Sequence, residues 1–276
     1  MSKSARSRPP RLEPSQSGPR EQAAAPGPAQ RLRAGRAAGT LRSTGPTELR
    51  RLVERIAAGD VRVLGGMDPF PGCTSLEVRE ALSAIWGVEP DCHEIDPERT
   101  IAAGAEASRR LAALAARGGR VVFATAAPAS LLPVHQHLAR LVAGAGADLA
   151  DEPDSPPFRC DGRGGRMLRR AGGVAVVTDG SSILATADSA VSEELLFGER
   201  RPDLVVGDGP FVVGAVRSGL PAVAFSGVRG LAMGVAALRG APVTVVPVDT
   251  GRPPSAYEPL LDVMQDAFVA AIGDAS

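Results

Sequence analysis

Val174-Ala175-Val176-Val177 runs into Thr178-Asp179-Gly180, and Leu204-Val205-Val206 runs into Gly207-Asp208-Gly209-Pro210. Ala222-Val223-Ala224-Phe225 runs into Ser226-Gly227, and Val243-Thr244-Val245-Val246 runs into Pro247-Val248-Asp249-Thr250. These four segments decide the fold. Short β-branched runs without polar alternation are the mark of strands buried on both faces. Helical segments lie between most of them, which predicts a mainly parallel sheet. In open α/β sheets the ligand lies beyond the carboxyl ends of the strands. Asp179, Asp208 and Asp249 end or follow three of these runs, so the candidate site is placed there.

Working outward, Val121-Val122-Phe123-Ala124 reads as a further strand, followed by the small-residue loop Thr125 to Ala129. Ser130 then caps a helix through about Ala143, with Pro133 in its first turn. Thr47 to about Ala58 reads as a helix and Val61 to Leu64 as a short strand. Thr74-Ser75-Leu76-Glu77 is a capping box that opens a helix to about Trp86. Asp96-Pro97-Glu98 starts another, with proline at its first position, running to about Ala116. A last helix runs from about Glu258 to Ile272. Residues 151–173, rich in Pro, Gly and Arg, read as an irregular surface insertion. Residues 1–44 hold almost no large apolar side chains and read as a disordered tail. The expected architecture is a three-layer α/β domain over 45–276, with a mainly parallel sheet and helices on both faces.

Composition narrows the chemistry. With 31 basic and 31 acidic residues in 276, the formal charge is zero, and no nucleic acid or anionic membrane partner is expected. No run is long enough to span a bilayer and no secretory signal is visible, so a cytoplasmic protein is expected. Cys73, Cys92 and Cys160 are scattered and fit a reducing compartment rather than a disulfide framework. The only lysine is Lys3. A pyridoxal-phosphate Schiff base, a P-loop lysine and an SxxK hydrolase are therefore excluded from the folded body.

Asp208, Asp249 and Asp179 are the candidate ligands of a divalent cation, Mg²⁺ or Mn²⁺, which would orient a phosphate and polarise water. The competing explanation is that strand-to-helix loops favour Asp as a turn or cap residue. His135, about one turn into the helix after Thr125, is a candidate general base; His137 points to another side of that helix. Cys160 to Arg166 matches C-x5-R, the spacing of cysteine phosphatases, but prolines rather than a strand precede it. A flexible basic loop is preferred there, in which Arg163 or Arg166 contacts an anionic substrate. Cys73 with Cys92-His93 has irregular spacing and lacks a fourth ligand for zinc. The glycines of Gly207 to Gly214 are misplaced for a dinucleotide loop.

Several stretches between Asp96 and Pro259 carry a resemblance. They are Asp96-Pro97-Glu98-Arg99-Thr100-Ile101, Val122-Phe123-Ala124-Thr125 with Pro128, Leu131-Leu132 and His135, Pro202-Asp203-Leu204-Val205-Val206 with Asp208, and Val246-Pro247-Val248-Asp249 with Tyr257 and Pro259. Their order resembles the Streptomyces-type "phosphatase" family of actinobacteria. The resemblance implies an α/β protein with polar residues clustered at strand ends. The chain departs from the family in the stretch Asp179 to Ala187, where histidines are typical, and at Gly209, where a histidine follows the acid. It departs again at Gly227, Arg229 and Gly230, where acidic and amide residues are typical. Thr125, His135, Asp208 and Asp249 are retained.

The function expected from these readings is a phosphatase-like hydrolase acting on a small phosphorylated metabolite. Asp208 and Asp249 would hold the cation, with Asp179 as an outer ligand. Thr125 and Ser226 would contact substrate, and His135 would assist proton transfer. The alternatives are a catalytically inactive ligand-binding or regulatory paralogue using the same crevice, favoured by the missing histidines, and a Rossmann-like nucleotide-binding enzyme.

Overall fold

A computed structural model of the chain describes residues 25–40, 44–88, 94–150, 154–196 and 200–275. In chain order the elements are α1 Pro28–Gly35, β1 Gly39–Thr40, α2 Pro46–Ala57, α3 Ser75–Ala81, β2 Glu94–Ile95, α4 Pro97–Ala116, β3 Arg120–Ala124, α5 Pro128–Gly144 and β4 Asp148–Leu149. They continue with β5 Phe158–Cys160, β6 Arg163–Ala171, β7 Val174–Thr178, β8 Ile183–Leu184, α6 Ala190–Leu196, β9 Leu204–Asp208, α7 Pro210–Arg217, β10 Ala222–Ser226, α8 Leu231–Leu238, β11 Val243–Pro247 and α9 Glu258–Ala275.

The main sheet has the order β11-β10-β9-β3-β7-β6-β5. Its run from β11 through β7 is parallel. All five residues of β7, β9 and β10 are buried, as their unbroken apolar runs require. Short β4 pairs in parallel with the start of β3, at Arg120 and Val121. The protein is thus a mainly parallel α/β fold with helices on both faces of the sheet. One group of mutually packed helices is α1, α4, α5 and α9; α6 packs on α7, and α3 on α8. Gly104 lets α4 approach α9 closely, because a Cβ there would lie 2.6 Å from Leu260 Cδ1.

The connections place the crevice. From β3 the chain passes through α5 to β7 on one side; from β9 it passes through α7 and α8 to β10 and β11 on the other. Successive crossovers diverge between β3 and β9. Such a switch point opens a cleft at the carboxyl ends of the two strands, where Thr125 and Asp208 lie.

Three local expectations are corrected. Val61 to Leu64 is a run of turns, not a strand; Val63 N–H bonds Asp60 C=O and Met67 N–H bonds Leu64 C=O. The stretch expected to be irregular over 151–173 supplies β5 and β6. β6 lies antiparallel on β7 from Met167↔Thr178 to Ala171↔Val174. Of the expected tail, residues 1–24 and 41–43 lie outside the described residues, but 28–35 form α1, and Leu32, Ala37 and Ala38 are buried. Helix α5 begins at Pro128 rather than Ser130, and α2 at Pro46 with Gly45 as its N-cap rather than Thr47.

Candidate functional site

Asp208 closes β9 and is buried, with 2% of its surface exposed. Gly209 follows at φ 50° and ψ −132°, a conformation that needs glycine, and turns the chain sharply into α7. The Asp208 carboxylate is held from three sides. Thr125 Oγ1 donates to Oδ2 at 2.5 Å, Ala126 N–H donates to Oδ1 at 2.8 Å, and His135 Nε2 lies 3.4 Å from Oδ2. Two of these groups come from the end of β3 and one from α5, so the acid joins the two strands of the switch point.

His135 is fully buried, its ring edge-on to Phe225 at 5.0 Å and tilted against Phe123 at 6.5 Å. Its Nδ1 has no hydrogen-bond partner. Asp249, just past β11, is a separate fixed carboxylate. Arg252 binds its Oδ2 through Nη2 at 2.6 Å and Nε at 2.8 Å, and Gly251 N–H donates to Oδ1 at 3.1 Å. Tyr257 Oη donates to the Asp249 carbonyl at 2.6 Å, and Asp249 N–H donates to the Ala37 carbonyl at 2.8 Å.

Asp208, Asp249 and Ser226 all line one cavity of about 340 Å³ at the carboxyl edge of the sheet. Three helix beginnings also line it: Ala126 and Ala127 before α5, Gly209 and Pro210 at α7, and Gly227 to Gly230 leading into α8. Before α5 the Ala126 N–H is taken by Asp208 Oδ1 and the Ala127 N–H by Thr125 Oγ1, while no side chain caps α7 or α8. The starts of α7 and α8 bring positive dipole ends to the cavity wall, an arrangement suited to an anion. Arg229 stands at the same cavity, with Nη2 3.3 Å from Glu48 Oε1.

The other expected site residues are placed differently. Thr125 and His135 do not line the cavity; they stand behind Asp208 and touch it. Asp179 lies on the β7–β8 turn, its Oδ1 accepting from Ser182 N–H at 2.9 Å and from both Ser181 N–H and Oγ. These bonds, the Ser182 N–H first, hold its carboxyl well below the ordinary range. Arg166 Nη1 pairs with Asp179 Oδ2 at 3.3 Å, and Arg163 is exposed on β6. None of these three lines the cavity.

Cys160 lies on a β-hairpin, and burial pushes its thiol up, the opposite of a reactive thiolate. With Asp161 and Asp188 it forms the one group, among the described residues, of three or more His, Cys, Asp or Glu ligand atoms within 4.8 Å of one another. Asp179, Asp208 and Asp249 therefore do not form such a group. Cys92 and His93 lie outside the described residues.

The sequence reading did not single out Thr186, Arg229 and Thr250, which also line the cavity. Arg229 and Thr250 follow strand ends by a few residues, which was the available signal. Thr186 comes from beyond β8, inside the Asp179 to Ala187 stretch where the resemblance departs. Tyr257, behind Asp249, is fully buried, and that burial holds its phenol well above the ordinary range. The sign follows: the unfolded chain ionises near pH ~10 while the folded chain resists. Stability is complete below that pH and falls as the pH rises toward the folded value. Tyr257→Phe is expected to flatten this alkaline limb while costing about 1 kcal/mol at neutral pH for the lost bond to Asp249. Urea midpoints measured across the alkaline range for both proteins check it.

The chain has a parallel α/β sheet whose switch point opens on a cavity lined by carboxylates and helix starts, the place where ligands sit in folds of this class. Residues 28–271 match the family described as Phosphatase, and the chain belongs to that family. Phosphatase SCO2771 of Streptomyces coelicolor is 30% identical over 172 residues, covering 60% of this chain and 64% of that protein. The chain thus matches less than two thirds of that relative's length. Among the described residues, no helix is long and apolar enough to cross a membrane.

Proposed function

We propose that the chain hydrolyses the phosphate ester of a small metabolite in the cavity between β3, β9 and β10. The observation that supports it is the joint lining of one cavity by the uncapped starts of α7 and α8 and by two immobilised carboxylates. The helix starts would receive the phosphate oxygens. Asp208 and Asp249 alone would repel a phosphate, since like charges in a low-dielectric cleft are costly to bring together. Asp249 is already balanced by Arg252, and Asp208 is not paired with an arginine or lysine.

Apart from the Arg229 guanidinium, the polar side chains of the cavity lining offer oxygen ligands and no thiol or imidazole: Asp208, Asp249, Ser226, Thr186 and Thr250. Such a set fits a hard cation. Mg²⁺ or Mn²⁺ held by Asp208 and Asp249 would neutralise charge on the phosphate and acidify a water. The chain's own part is to fix the acids. Thr125, Ala126 and His135 orient Asp208, and Arg252 with Gly251 orients Asp249. His135 is a positioning residue, because it reaches the cavity only through Asp208. His135→Gln is accordingly expected to lower kcat by about 10- to 100-fold without abolishing turnover, the usual cost of losing an outer partner of a ligand.

The test is release of inorganic phosphate from a panel of phosphorylated metabolites with Mg²⁺ or Mn²⁺, and its loss on chelation. Turnover that survives chelation would remove the cation from the reading. Binding of phosphorylated ligands without turnover under any metal would favour the inactive paralogue. The oxygens of both acids are already bonded within the fold, which is the observation on that side.

A further inference from the structure

The walls of the same cavity are as informative as its acids. Leu64 and Met67, from the turns after α2, face it together with Val213 of α7, Val228, and Met233 of α8. None of these can accept or donate a side-chain hydrogen bond of ordinary strength. A sugar or polyol in contact with them would give up its water without replacement, at a cost for each hydroxyl. Nor is the wall built for a nucleobase. Phe225 is the one aromatic residue lining it, and its ring is fully buried in a T-shaped contact with His135. Base stacking uses an exposed aromatic face. The volume of about 340 Å³ is at the small end for ligand pockets.

We propose that the group esterified to the phosphate is compact and apolar, a short alkyl or branched aliphatic chain rather than a sugar, polyol or nucleoside. The proposal rests on the phosphate reading above and adds the ligand's other half. Met233 and Val213 are the specificity-determining residues, because each carries its side chain from a helix whose beginning also lines the cavity. A ligand with its phosphate at those beginnings would extend along them.

The test uses non-hydrolysable phosphonates on the full chain with Mg²⁺, with Kd read by calorimetry. From methyl- to butylphosphonate, Kd is expected to tighten by roughly fourfold per methylene, the usual gain for burying that group. Hydroxylated phosphonates of equal length are expected to bind no better than the methyl compound. Met233→Gln should flatten the chain-length series, its loss of affinity growing from methyl- to butylphosphonate. The near-isosteric Val213→Thr, which loses some stability to its buried hydroxyl, should also reduce the slope and covers the case of a Met233 variant that fails to fold. If methylphosphonate binds and added methylenes gain nothing, the apolar ligand is overturned while the phosphate reading stands. If no phosphonate binds, both fall.

Discussion

Asp208→Asn is expected to leave a folded protein whose phosphate release is lower by a hundredfold or more. The carboxylate is the junction of the site: it accepts from Thr125 and Ala126, lies against His135, and lines the cavity. The amide has the same shape and retains one oxygen for Ala126 N–H, so stability should fall by only about 1–3 kcal/mol, the cost of one mismatched buried bond. What it loses is the negative charge, on which any binding of a cation depends. Removal of one charge-stabilising group from an active site typically costs about 10²–10³ in kcat. Asp208→Ala should behave differently. It strands the Thr125 hydroxyl, the Ala126 N–H and the His135 ring together, and is expected to cost about 3–5 kcal/mol of stability as well as activity. Phosphate release and urea midpoints on both variants check the pair. An Asn variant with wild-type turnover would remove Asp208 from the chemistry.

Trp86→Ala is expected to be among the most destabilising single changes. The side chain is fully buried at the end of the Leu82–Trp86 π-helical turn. Its Nε1–H donates to the Ser226 carbonyl at 3.0 Å. Gly234 of α8 leaves room for the ring; a Cβ there would lie 2.5 Å from Trp86 Cζ3. Truncation opens a cavity under α8 and frees a buried carbonyl, at about 3–5 kcal/mol. For a chain of this size that lowers Tm by roughly 6–20 °C. Because the bonded carbonyl belongs to the last residue of β10, the same change should loosen the cavity where Ser226 lines it. Calorimetric melting of the variant decides the point; a loss under about 1 kcal/mol would mean the ring is not the support described.

The core strands were legible because burial on both faces leaves no place for polar side chains, so β3, β7, β9, β10 and β11 read as unbroken apolar runs. β6 was not, for the opposite reason. It pairs through its main chain with β7 over Met167 to Ala171 and with β5 at Arg163 and Arg166, while most of its side chains are exposed or half-buried. Val61-Arg62-Val63-Leu64 had strand composition but ends in Gly65 and Gly66, both at positive φ, and the chain turns instead of extending. α1 was hidden because its single buried large side chain, Leu32, carries too little pattern to count.

The strand-end rule pointed to Asp208, Asp249 and Ser226, which line one cavity. It could not rank Asp179, whose turn is built from the same residue types but serves Ser181, Ser182 and Arg166. His135 was legible as a neighbour of the strand-end loop. Its position behind the acid rather than beside a ligand depends on how α5 lies on β3 and on Phe225, which no local pattern encodes.

The Ala37 carbonyl gives the first forty residues a bearing on the far end of the chain. It accepts the main-chain N–H of Asp249, more than two hundred residues later, and α1 packs against α4 and α9 beside it. A protein shortened to begin at residue 45, as composition alone would advise, would keep every sheet strand from β3 to β11 and still lose one of the bonds that fix Asp249, the one to the Ala37 carbonyl. Boundaries for expression therefore belong upstream of Pro28, and proteolytic clipping near Arg36 would be a way to silence the cavity without touching its walls.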